Sequence, residues 1–168
     1  MYTYHYDSPI GGITLASNGE ELTGLWFDGQ KYFGSTLDSK NEDSDVLCGI
    51  FHETAHWLDI YFAGNEPDFI PPIKLIGSEF RKEVWEILQE IPYGKTITYG
   101  DIASKIATKR NIERMSAQAV GGAIGHNPIG IIVPCHRVIG TDGNLTGYAG
   151  GIERKEALLK LERNLYYT

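Results

Sequence analysis

Pro134-Cys135-His136-Arg137-Val138 decides how this chain is read. It sets a cysteine, a histidine and an arginine side by side. The apolar run Ile129 to Val133 leads into it, and the Gly-rich segment Gly140 to Gly151 follows it. A thiol so placed is either a core residue or a nucleophile, and the rest of the chain has to decide between the two.

The chain has 168 residues, enough for one compact domain or two small lobes with a real core. There is no basic-then-apolar leader at Met1-Tyr2-Thr3-Tyr4 and no apolar run long enough to span a membrane, so a cytoplasmic protein without a membrane partner is expected. Its two cysteines, Cys48 and Cys135, speak against a disulfide framework and fit a reducing compartment. The net charge of −7 argues at first against nucleic acid, but the charge is uneven. Residues 1–75 carry 3 Lys/Arg against 12 Asp/Glu, whereas Ile91 to Arg137 carries 6 basic residues against 2 acidic ones. Phosphate binding follows the local field rather than the total.

In chain order, Tyr2 to Tyr6, Ile13 to Ser17 and Leu22 to Phe27 read as strands. Ser8-Pro9-Ile10-Gly11-Gly12 reads as a turn, and Asn18-Gly19 as a two-residue hairpin. Residues 28–45 read as loop, with one strand near Tyr32. Residues 46–63 read as a helix with Leu47, Ile50, Phe51, Thr54, Trp57, Leu58 and Tyr61 on one face. Pro67, Pro71 and Pro72 make 65–78 an extended linker. Helices are expected over 79–90 with Ser78 as cap, 99–107 capped by Thr98, 117–124 capped by Ser116 with Gly125 as its stop, and 153–163. The inward faces are read as Phe80, Val84, Ile87 and Leu88 in the first of these, and Ala157, Leu158 and Leu161 in the last. The fold class is α+β. An α/β scaffold lobe over 1–75 carries a short antiparallel sheet and a helix. A mostly helical lobe over 76–168 carries a helix-turn-helix-like DNA-binding unit.

Three groups of residues carry candidate chemistry. His52-Glu53-Thr54-Ala55-His56 matches the HExxH zinc pattern, but the helical wheel turns both histidines away from the apolar face, so a catalytic zinc is not expected; Cys48, one turn before His52, leaves a surface metal site open. The helices 99–107 and 117–124 suggest a helix-turn-helix whose connection holds Lys109, Arg110 and Arg114, with Lys105 on the first helix; the competing reading is a plain helical hairpin. Ala117, Ala119, Gly121, Gly122 and Ala123 would let another backbone approach closely, either a helix or a nucleic-acid groove. Cys135 reacts only as thiolate and needs a base or a cation. His136 is adjacent, yet neighbours on an extended segment point opposite ways, so a bend at Pro134 or a bridging water is required. Glu162 would orient the histidine, and Asn127 lies at the same junction.

Together, Asn127-Pro128, Ile131 to Val138 and Gly147-Tyr148-Ala149-Gly150-Gly151 resemble the O6-alkylguanine-DNA alkyltransferases, closely over about residues 78–165 and in outline over 1–75. The resemblance implies a DNA-repair enzyme that flips an O6-alkylguanine out of duplex DNA and moves the alkyl group irreversibly to its own cysteine, once per molecule. It implies Cys135 as acceptor, His136 as base through water, Glu162 behind it and Asn127 as support. Tyr99 is implied as proton donor to the leaving guanine. Val138, Tyr148, Ala149 and Gly150 are implied around the base. Ser116, Ala117, Gln118, Gly121, Gly122, Lys105, Lys109, Arg110 and Arg137 are implied at the DNA, with the Ala117–Ile124 helix in the minor groove. No cofactor and no metal are implied, and a monomer is expected.

The sequence departs from the family pattern at Gln118, where an arginine is usual. It departs again at Ala149, often serine, and at Gly130, proline in some members. Two rivals remain. A lesion sensor of similar fold lacks the cysteine, which Cys135 speaks against. A thiol hydrolase would need an oxyanion hole and would turn over.

Overall fold

The computed structural model describes residues 1–38, 42–43, 49–145 and 147–162. The fold is mixed α+β, and the chain divides into two compact units. The first is Met1–Ile76 with Pro128–Ile132, and the second is Gly77–Asn127 with Val133–Thr168. The short segment 128–132 thus falls in the first unit, whereas a division at residue 75 puts it in the second.

In the first unit β1 (Tyr2–Ser8), β2 (Gly11–Ser17) and β3 (Leu22–Phe27) form an antiparallel meander. The expected five-residue turn is shorter: Ser8 pairs with Gly11, so β1 and β2 run two residues further at that end. The hairpin at Asn18-Gly19 also differs. Ser17 pairs with Leu22, leaving a four-residue loop, and the Asn18 side chain accepts from the N–H groups of Glu20 and Glu21. Asn18 thus acts as an Asx turn, with Gly19 at φ 106. No strand forms at Tyr32, which sits in a turn at φ 59; β4 (Glu42–Asp43) instead pairs parallel with β1.

All six residues of β3 are buried, although β3 ends the sheet order β3-β2-β1-β4. Two extended segments cover its outer edge. Pro72 and Lys74 bond the backbone of Leu22, and Pro128 and Gly130 bond that of Leu25, at 2.8 to 3.0 Å. The proline-rich stretch read as a linker is therefore an edge cover, and of the apolar run from Ile129 only Ile129 itself makes a bridge, to Leu25. Helix α1 (Gly49–Phe62) packs on the sheet through Ile50, Phe51, Thr54, Trp57, Leu58 and Tyr61, with Tyr4 stacked on Phe51. Leu47 and Cys48 lie outside the described residues.

In the second unit Ser78 caps α2 (Glu79–Leu88) by accepting from the Arg81 N–H. Its buried face is Val84, Trp85, Ile87 and Leu88; Trp85 replaces the expected Phe80, which is half-exposed. The Trp85 indole donates to the Ala123 carbonyl at 2.8 Å, tying α2 to α4 (Ala117–Gly125). Thr98 and Asp101 form a full capping box on α3 (Tyr99–Lys109). Gly125 is the last helical residue of α4 rather than its left-handed stop, and His126 closes the helix through Nδ1 to the Gly122 carbonyl, 2.7 Å. β5 (Ile97–Thr98) runs parallel to β6 (Val138–Ile139). Helix α5 (Ile152–Leu161) buries Lys155, Leu158 and Leu159, whereas the expected Ala157 and Leu161 are only half-buried. Among the described residues no helix is long and apolar enough to cross a membrane.

The Trp85 bond makes a direct stability prediction. Trp85→Phe keeps a large apolar ring but removes this hydrogen bond, while the Ala123 carbonyl keeps the His126 N–H, and it is expected to cost about 0.5–1.5 kcal/mol. Urea denaturation of the two proteins measures this, and equal midpoints would contradict it.

Candidate active site

The chain enters the site through two tight turns. The Ile132 N–H reaches the Gly130 carbonyl at 2.7 Å around Ile131, a buried β-branched residue held at φ 67. This is the rarer, strained form of γ-turn, and such a residue costs roughly 1–3 kcal/mol. A γ-turn of the common, inverse form follows, with the Cys135 N–H to the Val133 carbonyl at 2.8 Å around Pro134, at φ −83 and ψ 66. Asn127 donates through Nδ2 to that same Val133 carbonyl, 2.8 Å. The bend expected at Pro134 is thus present, and it feeds a 3₁₀ turn, Cys135–Arg137. Successive residues of such a turn are about 120° apart, so Cys135 and His136 do not point opposite ways.

Cys135, His136 and Glu162 are all buried. Glu162 follows the last turn of α5 and accepts from His136 Nε2 at 2.6 Å, Arg137 Nε at 2.8 Å, Arg137 Nη2 at 3.2 Å and the Gly94 N–H at 3.1 Å. Burial pushes this carboxyl up, but His136 and then Arg137 outweigh it and hold it well below the usual carboxylate range. An ionised carboxylate only accepts hydrogen bonds, so neutral His136 carries its proton on Nε2. Its Nδ1 is then the basic nitrogen; it is buried and has no protein partner among the described residues. Burial is also the main reason the imidazole lies below its ordinary value, with Glu162 opposing and Arg137 and Lys155 adding to the effect. The Cys135 thiol is pushed up by burial, against an Asn127 hydrogen bond and the charge of Lys155. At rest, then, the site holds a thiol and a neutral base.

Arg137 corrects an expectation. The resemblance implies it at the DNA, but it is buried, with Nη1 on the Ile91 carbonyl at 2.7 Å and its guanidinium over Tyr93. Arg110 is likewise engaged: Nε donates to Glu83 at 3.0 Å, and the guanidinium stacks on Phe80. Lys105, Lys109 and Arg114 are exposed on α3 and the connection after it. Ser116, Ala117, Gln118 and Gly122 are exposed on and before α4, and Gly121 is half-buried. A Cβ at Gly122 would meet nothing within 4 Å, and one at Gly121 would make ordinary contact with Tyr99. Internal packing therefore does not require these two glycines.

The β5–β6 pairing sets Thr98 opposite Ile139, which brings Tyr99 beside the strand that leaves the cysteine turn. Lys155 was not anticipated. Its ammonium is fully buried and donates to the Val138 carbonyl at 2.6 Å and the Gly147 carbonyl at 3.3 Å, with the Tyr99 ring 5.9 Å away. It joins β6 to the loop before Tyr148, two segments that the family resemblance implies around the base. One signal could have exposed it: Lys155 shares a helical face with Leu158 and Leu159. The Tyr148-Ala149-Gly150 segment is half-buried and folded by a Gly151 N–H bond to the Tyr148 carbonyl, 2.9 Å. The Tyr148 phenol is held well above its ordinary value, by burial and then by the nearby Cys135. His52 and His56 are exposed, His56 stacking on Phe69, and no group of three or more His, Cys, Asp or Glu is placed to share a metal among the described residues.

A buried thiol beside a carboxylate-held histidine, next to a capped helix with a bare outer face, defines a cysteine-dependent enzyme with a candidate nucleic-acid surface. The model of the 6-O-methylguanine DNA methyltransferase DNA binding domain matches residues 79–164, and that of the ribonuclease-like domain of the same protein matches 1–75. The methylated-DNA–protein-cysteine methyltransferase of Mycobacterium tuberculosis is 47% identical over 163 residues, covering 95% of this chain and 93% of its own. That of Methanosarcina acetivorans is 46% identical over 162 residues, covering 96% and 98%. The crystal structure of Mycobacterium tuberculosis OGT in complex with DNA aligns with a TM-score of 0.84 at 43% identity, covering 99% of this chain and 94% of that one. The chain belongs to this family, the methylated-DNA–protein-cysteine methyltransferases.

Lys155 gives the site a pH signature. Burial lowers its amine to about 8, whereas in the unfolded chain it lies near 10.4. Between these values the unfolded chain binds more protons, so this group makes stability rise with pH. The stability of the wild type relative to Lys155→Met is expected to grow by roughly 3 kcal/mol from pH 8 to 10.4. Denaturation at both pH values measures it; a pH-independent difference would contradict the burial of a charged amine.

Proposed function

We propose that this chain repairs O6-alkylguanine in duplex DNA by moving the alkyl group to Cys135, one group per molecule, as a monomer and without a cofactor. The observation that carries this reading is the bare Nδ1 of His136, buried on the same turn as the thiol and made basic by Glu162. In the reaction, Nδ1 takes the thiol proton through a bridging water. The thiolate attacks the alkyl carbon, an S–C bond forms as the C–O bond breaks, and guanine leaves with the electron pair. Tyr99 protonates the departing guanine, and the proton taken from the thiol returns to Tyr99 through solvent. A thioether has no acyl carbon for water to attack, so the cysteine is consumed.

The target base has to leave the stack to reach a buried thiol. Flipping costs a few kcal/mol, least for a damaged base. The bare outer face of α4 suits close approach to a minor groove, since Gly121 and Gly122 are not explained by internal packing. Gln118, exposed on the first turn of α4, would enter the stack in this reading. Val138, Tyr148, Ala149 and Gly150 surround the base in this reading. Lys155 already takes the Val138 carbonyl, leaving it one lone pair for the guanine.

Mass spectrometry after mixing with a duplex carrying O6-methylguanine is expected to find one methyl group per chain, on Cys135, and none on Cys135→Ala. An unmodified Cys135 with the lesion still present would end the repair reading, and repeated turnover would favour a hydrolase. Gln118→Arg is expected to tighten duplex binding and steepen the log K against log salt slope by about 0.9, one phosphate's worth. An unchanged slope would mean that residue 118 does not face the DNA.

A further inference from the structure

Arg137 is a buried guanidinium that the reaction above does not use. It occupies both oxygens of the carboxylate that orients the base, with Nε on Oε1 at 2.8 Å and Nη2 on Oε2 at 3.2 Å. His136 Nε2 shares Oε2 with it, at 2.6 Å. The third guanidinium nitrogen is fixed on the Ile91 carbonyl, and Tyr93 lies under the plane, so the fork is locked in register. We infer that Arg137 is a positioning residue for the His136 base: by sharing Glu162 it keeps the imidazole neutral at rest, with the Nδ1 lone pair open to the thiol proton.

A buried carboxylate that faces a histidine alone favours the imidazolium. An imidazolium has no lone pair at Nδ1 and cannot accept the thiol proton. With Arg137 on the same carboxylate, the imidazole faces a near-neutral pair, and burial then decides in favour of the neutral ring. The ionised carboxylate still holds the Nε2 proton, so the ring keeps its orientation. Among the described residues the other charged or titratable groups at this cluster are Cys135 on the same turn, Lys155 on α5 and the Tyr148 phenol, which feels both Cys135 and Glu162; the turn after α2 contributes the Gly94 N–H to Glu162 and the Tyr93 ring to Arg137. Lys155 acts on His136 in the same direction as Arg137, and its ammonium bonds the Val138 and Gly147 carbonyls. Lysine would not serve in place of the arginine, because a single ammonium cannot span both carboxylate oxygens and the Ile91 carbonyl in one plane.

This inference rests on the proposed role of His136 as base, and one measurement separates the two. Nitrogen-15 NMR of the intact wild-type chain, without DNA, is expected to show His136 as the Nε2–H tautomer, staying neutral to below pH 6.5. A wild-type imidazole that titrates above 6.5 would overturn the inference whether or not alkyl transfer occurs. In Arg137→Met the titration is expected to rise by about one to two pH units. The acid limb of the single-turnover alkyl-transfer rate should move up by the same amount, with recovery at high pH. Lys155→Met is expected to move that limb less. If Arg137→Met lowers the rate equally at every pH and leaves the His136 titration in place, Arg137 is structural only and the inference fails. If wild-type Cys135 transfers no alkyl group while His136 behaves as stated, the repair reading fails and the role of Arg137 in setting the imidazole stands.

Discussion

The buried carboxylate of Glu162 ties together three stretches far apart in sequence. It closes α5, it receives His136 and Arg137 from the 3₁₀ turn, and it receives the Gly94 N–H from the turn after α2. A charge in that position is tolerable only while its partners stay in place, since breaking a buried pair costs about 3–5 kcal/mol. The geometry of the second unit near the thiol therefore depends on this one group. The base, its tautomer and the turn that carries the nucleophile are all fixed by the same two oxygens. Orientation of the histidine and integrity of the local fold are one constraint here, not two.

The approach to the cysteine shows a related economy of structure. A β-branched residue at φ 67 is unfavourable by itself, yet Ile131 is fully packed and its turn is closed by a hydrogen bond. Three residues later Pro134 makes a second tight turn, and Asn127 grips the carbonyl at its start. An extended strand through this region would have set Cys135 and His136 on opposite faces. The two turns bring the chain into a 3₁₀ turn instead, where successive side chains lie about 120° apart rather than on opposite faces. Local strain is thus spent where the chemistry requires neighbouring residues to act together.

Much of this was legible in the sequence, and the failures have physical reasons. Caps at Ser78, Thr98 and Ser116 were readable because capping is local, and the apolar face of α1 because its period is unbroken. Cys135, His136, Glu162 and Asn127 were named together, and the structure brings them together. The covered edge of β3 was not readable, because its partners come from residues 72–74 and 128–130, and pairing across such distances leaves no mark in either segment. Trp85 escaped because its indole is satisfied by a backbone carbonyl, which no sequence displays. Lys155 and Arg137 escaped for a shared reason: a cation is expected at the surface unless a buried acceptor awaits it. Their acceptors are two carbonyls in one case and a carboxylate from another element in the other.

These buried cations bear on how the thiol of the proposed single-use reaction is kept. A thiolate formed at rest would react with any small electrophile that reached it, and each such event would remove a molecule from service. Burial pushes the Cys135 thiol up, so it stays protonated and poorly nucleophilic. The neutral His136 is an equally quiet partner: it can take a proton but has not yet done so. Lys155 favours the thiolate once it forms, and Arg137 and Glu162 hold the histidine in its receptive form. In the proposed reaction the thiol therefore ionises as the proton moves to a placed base, not before the substrate arrives. The same desolvation that makes the resting cysteine inert also strips water from the thiolate when it attacks, so protection and reactivity follow from one buried environment.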